Sequence, residues 1–212
     1  MGNEHEQARE RMLRDHLVPR GITNVRVLAA MGAVPRELFV PENLRESAYA
    51  DHPLPLGNGQ TISQPYVVAL TVQEADIGSG DIVLDVGTGS GYAAAVASRI
   101  ATRVVSIERI AELSERAEAV LRALGYDNIE LLVGDGTQGA TEHGPYDAII
   151  SAAAAERIPT TWTEQLAPHG RIIAPIGGRN GQRLRSVQRD SESSYIETDL
   201  GGVRFVPLIS DG

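Results

Sequence analysis

The sequence predicts an α/β protein: a mostly parallel, doubly wound sheet with helices on its faces. Three observations carry that prediction. Residues 81–109 read as strand, glycine loop, helix and strand, in that order. The elements beyond residue 60 alternate as βαβαβ and then βαβ, before a β-rich tail. The residues suited to a ligand, Gly87 to Gly91, Glu108 and Asp135, all fall at the carboxyl ends of predicted strands. That is where open α/β sheets bind ligands, beside a topological switch. With no internal repeat and no linker, the 212 residues are expected to form one domain. Its parts are 1–60 (N-terminal helices and a loop), 61–178 (the ligand-binding core) and 179–212 (a β-rich C-terminal part).

Glu4 to Leu17 has helix-forming composition, with Asn3 placed to cap it and Pro19 and Gly21 to end it. Asn24 can cap a second helix through Met31, with Val25, Leu28 and Ala29 as its apolar face. Both precede the first core strand, and such extensions pack over a sheet edge or shape a pocket. Val40 to Gln60, punctuated by Pro41, Pro53, Pro55, Gly57 and Gly59, reads as a long ordered loop, and loops of that length are usually functional. It leads into Thr61-Ile62-Ser63-Gln64, and Pro65 suits the first position of a helix to Asp76. Two readings of Ser63 stand: a helix cap, or a hydroxyl held at a helix N-terminus toward an anionic substrate.

Ile82, Val83, Leu84 and Val86 form an apolar run of the buried parallel type. Gly87, Gly89 and Gly91 interrupt it with only Thr88 and Ser90 between them, so the backbone can turn sharply and a ligand can come close. Tyr92 to Ile100 is a helix, Arg103 to Ile107 a strand, and Glu108 ends it, about 20 residues past the loop, where an acid accepts from a ribose diol. Ile110 to Leu124 is an amphipathic helix and Ile129 to Val133 a strand that ends in Gly134-Asp135-Gly136. Asp135 is read either as an acceptor for an adenine amino group or as a turn signal. Tyr146 to Ile150 is a strand followed by Ser151 and four alanines, which leave space at its end. A helix over Ile158 to Leu166, a strand over Arg171 to Ile176, and strands over Gln182 to Arg189 and Tyr195 to Leu200 complete the pattern.

The loop selects among nucleotides. The dinucleotide fingerprint needs a small residue where Tyr92 stands, and the third glycine comes one place early. A P-loop needs lysine, and all 19 basic residues are arginine. Strand, G-x-G-x-G, helix, strand and acid fit better the loop of S-adenosylmethionine-dependent methyltransferases, whose ligand carries a nucleoside and an amino acid but no phosphate. A tight βα turn without a ligand is the plain alternative. Ser90 lacks the flanking glycines of a hydrolase elbow, and the 5 histidines lack metal-ligand spacing, so no metal is expected. A net charge of −9 argues against a nucleic-acid partner. No apolar run reaches the ~18 residues of a membrane span, the polar start lacks a secretory h-region, and cysteine is absent. A cytoplasmic enzyme is the expectation.

Taken together, Tyr49-Ala50-Asp51, Pro53-Leu54-Pro55 and Gly59-Gln60-Thr61-Ile62-Ser63-Gln64-Pro65-Tyr66 resemble the protein-L-isoaspartate O-methyltransferase family. So do Val34-Pro35-Arg36-Glu37, Gly87-Thr88-Gly89-Ser90-Gly91-Tyr92, Ser106-Ile107-Glu108-Arg109, Tyr146-Asp147-Ala148-Ile149-Ile150 and Phe205-Val206-Pro207-Leu208. His169 departs from a usual Gly-Gly pair, and Val67-Val68-Ala69 lacks a common methionine. The resemblance spans nearly the whole chain. It implies a class I, Rossmann-like methyltransferase fold, S-adenosylmethionine as methyl donor and S-adenosylhomocysteine as product. It implies a donor site of Thr61, Ile62, Gly87, Thr88, Gly89, Ser90, Gly91, Glu108, Arg109, Asp135, Gly136 and Gln182. Ser63 would be the active-site residue, with Thr61 and Val206 on the substrate side. The implied partners are isoaspartyl-containing proteins and peptides, methylated on the free α-carboxylate by a monomer, the ester then closing to a succinimide that hydrolyses partly to aspartate. A methyltransferase for specific aspartates in a peptide-modification pathway, and a non-catalytic S-adenosylmethionine-sensing scaffold, remain as alternatives.

Overall fold

A computed structural model describes residues 2–178, 181–191 and 194–210. The first helix, α1 (Gly2–Arg11), begins ahead of Asn3, which therefore lies within the helix and not at its expected boundary. It continues as a π-helix over Met12–Leu17, and the five-residue spacing puts Met12 and Leu17, both fully buried, on one inward face. In α2 (Val25–Ala33) the Asn24 side chain caps as expected, accepting from Arg26 N at 3.0 Å and Val27 N at 3.4 Å. The buried face is Val27, Ala30 and Met31, however, and Val25 is 76% exposed. The sequence offers two apolar stripes on this helix, and what lies beneath it selects one. Beneath it are helices and not a sheet edge: α2 packs on α3 (Pro65–Glu74) and α4 (Tyr92–Ser98).

The expected loop between Val40 and Gln60 is partly regular. A 3-10 turn covers Glu42–Ser47, and β1 (Leu54–Gly57) pairs antiparallel with β2 (Gln60–Ile62). Asn58 (φ 53) and Gly59 (φ 70) form the hairpin tip, where both central residues need positive φ. Asp76, at φ 52, stops α3 two residues before the expected end.

The main sheet uses β3 (Ile82–Val86), β4 (Arg103–Glu108), β5 (Ile129–Val133), β6 (Tyr146–Ser151), β7 (Leu166–Gly178), β8 (Gly181–Ser191) and β9 (Ser194–Val203). Its order is β5-β4-β3-β6-β7-β8-β9, parallel from β5 through β7 and antiparallel beyond. Alternate residues serve two cores. Val83, Val104, Ala148, Ile150 and Ile173 face α3, α4 and the N-terminal helices, and Leu84, Val86, Val105, Ile149 and Ile172 face Trp162. The other helices are α5 (Ala111–Ala123) and α6 (Thr160–Glu164). The last is shorter than expected. Pro159 starts it late, and Leu166 already pairs with Tyr146 in β7. From β3 the chain moves first to β4 on one side and later to β6 on the other, so the crevice lies above β3 and β6.

Candidate active site

The glycine loop leaves β3 at Gly87, whose N–H donates to Ile107 O at 2.9 Å. Gly87, Gly89 and Gly91 all have positive φ (90°, 53° and 85°), so each expected glycine is required by the turn itself. Thr88 is buried. Its hydroxyl donates to Ser106 Oγ at 2.6 Å, and Ser106 in turn donates to Asp85 Oδ2 at 2.7 Å. Burial pushes the Asp85 carboxyl up to about 6, with the nearby Glu108 charge adding to the rise and the Ser106 hydroxyl opposing it. Asp85 Oδ1 has no partner among the described residues.

Glu108 stands where the sequence places it, at the end of β4, only 7% exposed. One carboxylate oxygen accepts from Gly89 N at 2.8 Å and the other from Ile110 N at 2.9 Å. The acid therefore ties the glycine loop to the start of α5, and it lines a cavity of about 350 Å³. Thr61, Gly87, Gly89, Arg109, Gly136 and Val206 share that wall. Gly136 has no room for a side chain, since a Cβ there would lie 2.6 Å from Val86 Cγ1.

Other expected donor-site residues are placed differently. Ile62 alternates with Thr61 along β2, so its side chain is in the core. Ser90 opens onto the outer cleft beside Leu113 and Ala117. Asp135 Oδ1 caps the turn Gly136–Gln138, accepting from Thr137 N at 2.8 Å and Thr137 Oγ1 at 2.7 Å. Gln182 spends its amide on Phe205, donating to its O at 3.0 Å and accepting from its N at 2.6 Å. That pair, with Ala154 N to Val206 O at 2.8 Å and Leu208 N to Ala154 O at 2.7 Å, lays the C-terminal segment across the strand ends. Arg109 Nη1 reaches Ile209 O at 3.3 Å on the same segment.

A second cavity, a groove of about 700 Å³, runs beside the first. Thr61, Ala152 and Val206 line both, so these three residues form the wall where the two meet. Ala152 belongs to the alanine run and was not singled out as a site residue; its only signal was small size at a strand end. Ser63 lines the groove and the narrow slot below it, next to Asp85 and Ser151. Its hydroxyl caps nothing: the N-cap of α3 is Gln64, and no side chain accepts there. The groove's charged residues are Arg20 and Arg204, both cationic in a chain of net charge −9. Arg20 stacks 3.4 Å over the Tyr66 ring and pairs with Asp51 at 2.8 Å.

The family model described as protein-L-isoaspartate(D-aspartate) O-methyltransferase matches residues 7–212. The chain belongs to this family. Protein-L-isoaspartate O-methyltransferase 2 of Pelobacter propionicus is 50% identical over 96% of this chain and 91% of its own. Protein-L-isoaspartate O-methyltransferase of a Roseiflexus species is 52% identical over 94% and 91%. Among solved structures, a Plasmodium falciparum protein described as a protein-L-isoaspartate O-methyltransferase, in complex with S-adenosyl-L-homocysteine, superposes with TM-score 0.82. It shares 26% identity, over 97% of this chain and 98% of that one. Family membership agrees with the parallel sheet and its crevice. Among the described residues no helix is long and apolar enough to cross a membrane, and no cluster of His, Asp or Glu could hold a metal ion.

Proposed function

We propose that this protein transfers a methyl group from S-adenosylmethionine to the free α-carboxylate of L-isoaspartyl residues in proteins and peptides. The observation that carries the reading is the junction of the two cavities at Thr61, Ala152 and Val206, with the uncommitted Ser63 hydroxyl on the groove side. The first cavity suits a nucleoside with an amino-acid tail. Glu108 has lone pairs for a ribose diol beyond the two N–H groups it already accepts, and the Gly136 backbone shares the cavity wall. S-adenosylmethionine supplies an electrophilic methyl group on a sulfonium.

A carboxylate is already ionised and nucleophilic at neutral pH, so no strong general base is needed. The protein's tasks are alignment and exclusion of water. Arg204, with Arg20 beside it in its pair with Asp51, puts cationic side chains on the groove wall, which favour an anionic acceptor. The Ser63 hydroxyl donates to the carboxylate and orients it; it attacks nothing. Thr61 and Val206 line the passage on both sides, so a peptide in the groove presents its carboxylate across them. A bond forms between a carboxylate oxygen and the methyl carbon as the methyl–sulfur bond breaks, giving a methyl ester and a neutral thioether. The test is the nature of the product. With methyl-labelled donor and an isoaspartyl peptide, label should appear in an ester that mild alkali releases as methanol. Label that resists alkali would place the methyl on another atom and overturn the reading.

A further inference from the structure

Arg36 is 0% exposed, and among the described residues it forms no ion pair. Its Nε donates to Ala48 O at 2.7 Å and its Nη2 to Ser63 O at 2.8 Å. The guanidinium carbon lies 4.7 Å from the centre of the Tyr92 ring, and Nη1 has no partner among the described residues. Burial lowers its pKa to about 10, with the Tyr92 and Tyr49 hydroxyls opposing the fall, so the group stays cationic at neutral pH. A buried cation without a counter-ion is costly, and an apolar side chain of similar volume would fill the space without that cost. An apolar side chain could not hold two carbonyls in a fixed planar geometry, as a guanidinium does.

The two carbonyls are informative. Ala48 closes the 3-10 turn Glu42–Ser47, and Ser63 is the residue whose hydroxyl opens on the groove. Tyr92, beneath the guanidinium, begins α4 directly after Gly91. One side chain thus joins the glycine-loop helix, the N-terminal segment and the Ser63 backbone. The peptide linking Ser63 to Gln64 is planar, with its C=O and N–H antiparallel, so a bond at the Ser63 carbonyl fixes the orientation of the whole unit. We propose that Arg36 is a positioning residue for methyl transfer: from below the groove it sets the Ser63 backbone, and through it the hydroxyl that orients the acceptor carboxylate. The inference rests on the reading of Ser63 given above.

Arg36→Lys keeps the charge but not the planar fork, so it cannot reach both carbonyls. Arg36→Ala empties the space, which methylguanidinium added to the buffer can refill. Both are compared with wild type on an isoaspartyl peptide, at a temperature where circular dichroism shows each chain folded. The expected result is a kcat at least about tenfold lower in both variants, with the dissociation constant for S-adenosylhomocysteine within about twofold of wild type. Methylguanidinium should restore part of the Arg36→Ala rate and leave wild type unchanged. Wild-type kcat in either folded variant, with only a lowered melting temperature, would show a purely structural arginine and overturn the proposal. A chain that folds only with arginine at this position would overturn it as well. A wild-type enzyme that methylates no isoaspartyl peptide would instead sink the proposed function, and this inference with it.

Discussion

Replacing Ser63 with alanine separates two jobs that one hydroxyl can do. Were it the cap of α3, its loss would cost about 1 kcal/mol of stability and leave the rate of a folded enzyme alone. The N-cap is Gln64, with no side-chain bond, and the Ser63 atom that is bonded is its backbone oxygen, held by Arg36. The substitution removes neither. Stability should therefore change by less than about 0.5 kcal/mol, the range of a surface change away from special features. A hydrogen bond to a charged group is worth about 1.5–3 kcal/mol. If it is made as the carboxylate aligns for attack, its loss lowers kcat roughly 10- to 100-fold. Donor binding should hold, because Ser63 lines the groove and the slot beneath it, and not the Glu108 cavity. The assay is initial-rate methyl transfer to an isoaspartyl peptide at saturating S-adenosylmethionine, beside thermal melts of both proteins. Wild-type kcat with a lowered melting temperature would refute the orienting role; complete loss of turnover would show that the hydroxyl does more than orient.

Three further substitutions probe the donor cavity and the strand ends beside it. Glu108→Gln keeps one acceptor but turns an amide N–H₂ against the N–H of Gly89 or Ile110, so S-adenosylhomocysteine binding should weaken by roughly 1–3 kcal/mol by calorimetry. Unchanged affinity would reduce Glu108 to a brace for the loop. Gly136→Ala drives a Cβ to 2.6 Å from Val86 Cγ1, and urea midpoints should report a loss of about 1–3 kcal/mol, the usual cost of overpacking. A variant as stable as wild type would show that this strand end yields easily. Asp85 has a folded-state pKa of about 6 against an ordinary 3.8, so its ionisation destabilises the fold progressively as pH rises between those values and fully above them. Asp85→Asn should therefore gain stability relative to wild type at pH 7 and lose that advantage below pH 3.8; a gain independent of pH would exclude ionisation as its cause.

The βαβ core was legible because its strands are short apolar runs set off by glycine: β3 is buried on both faces, and β5, at the sheet edge, is still apolar enough to read as a strand. Ile82–Val86 and Ile129–Val133 match the expected limits, and Glu108 ends its strand as read. The face of α2 was not legible. Val25 and Leu28 are as apolar as Val27 and Met31, and only the position of α3 and α4 decides between them. Asn58-Gly59 is a hairpin signal of its own, but the prolines on either side concealed the short strands flanking it. At the site, residues from distant positions, Thr61, Gly87, Glu108, Gly136 and Val206, do meet in one cavity. The inward direction of the Ile62 side chain was not legible, because a motif quoted as a block does not show strand alternation. The bonds of the Gln182 amide to the Phe205 backbone were not legible, since a long polar side chain can serve a neighbouring backbone as readily as a ligand. Arg36 lies in one of the motifs that carry the resemblance, but its task appears only once Ala48 and Ser63 are brought beside it.

The central claim is tested most directly by comparing two peptides of identical composition, one with an L-isoaspartyl linkage and one with the normal L-aspartyl linkage, at saturating S-adenosylmethionine. The account predicts one methyl transferred per turnover of the isoaspartyl peptide, followed by succinimide formation and partial appearance of the aspartyl form, with no transfer to the aspartyl twin. Equal or greater transfer to the aspartyl peptide, or tight donor binding with no transfer to either, would contradict it.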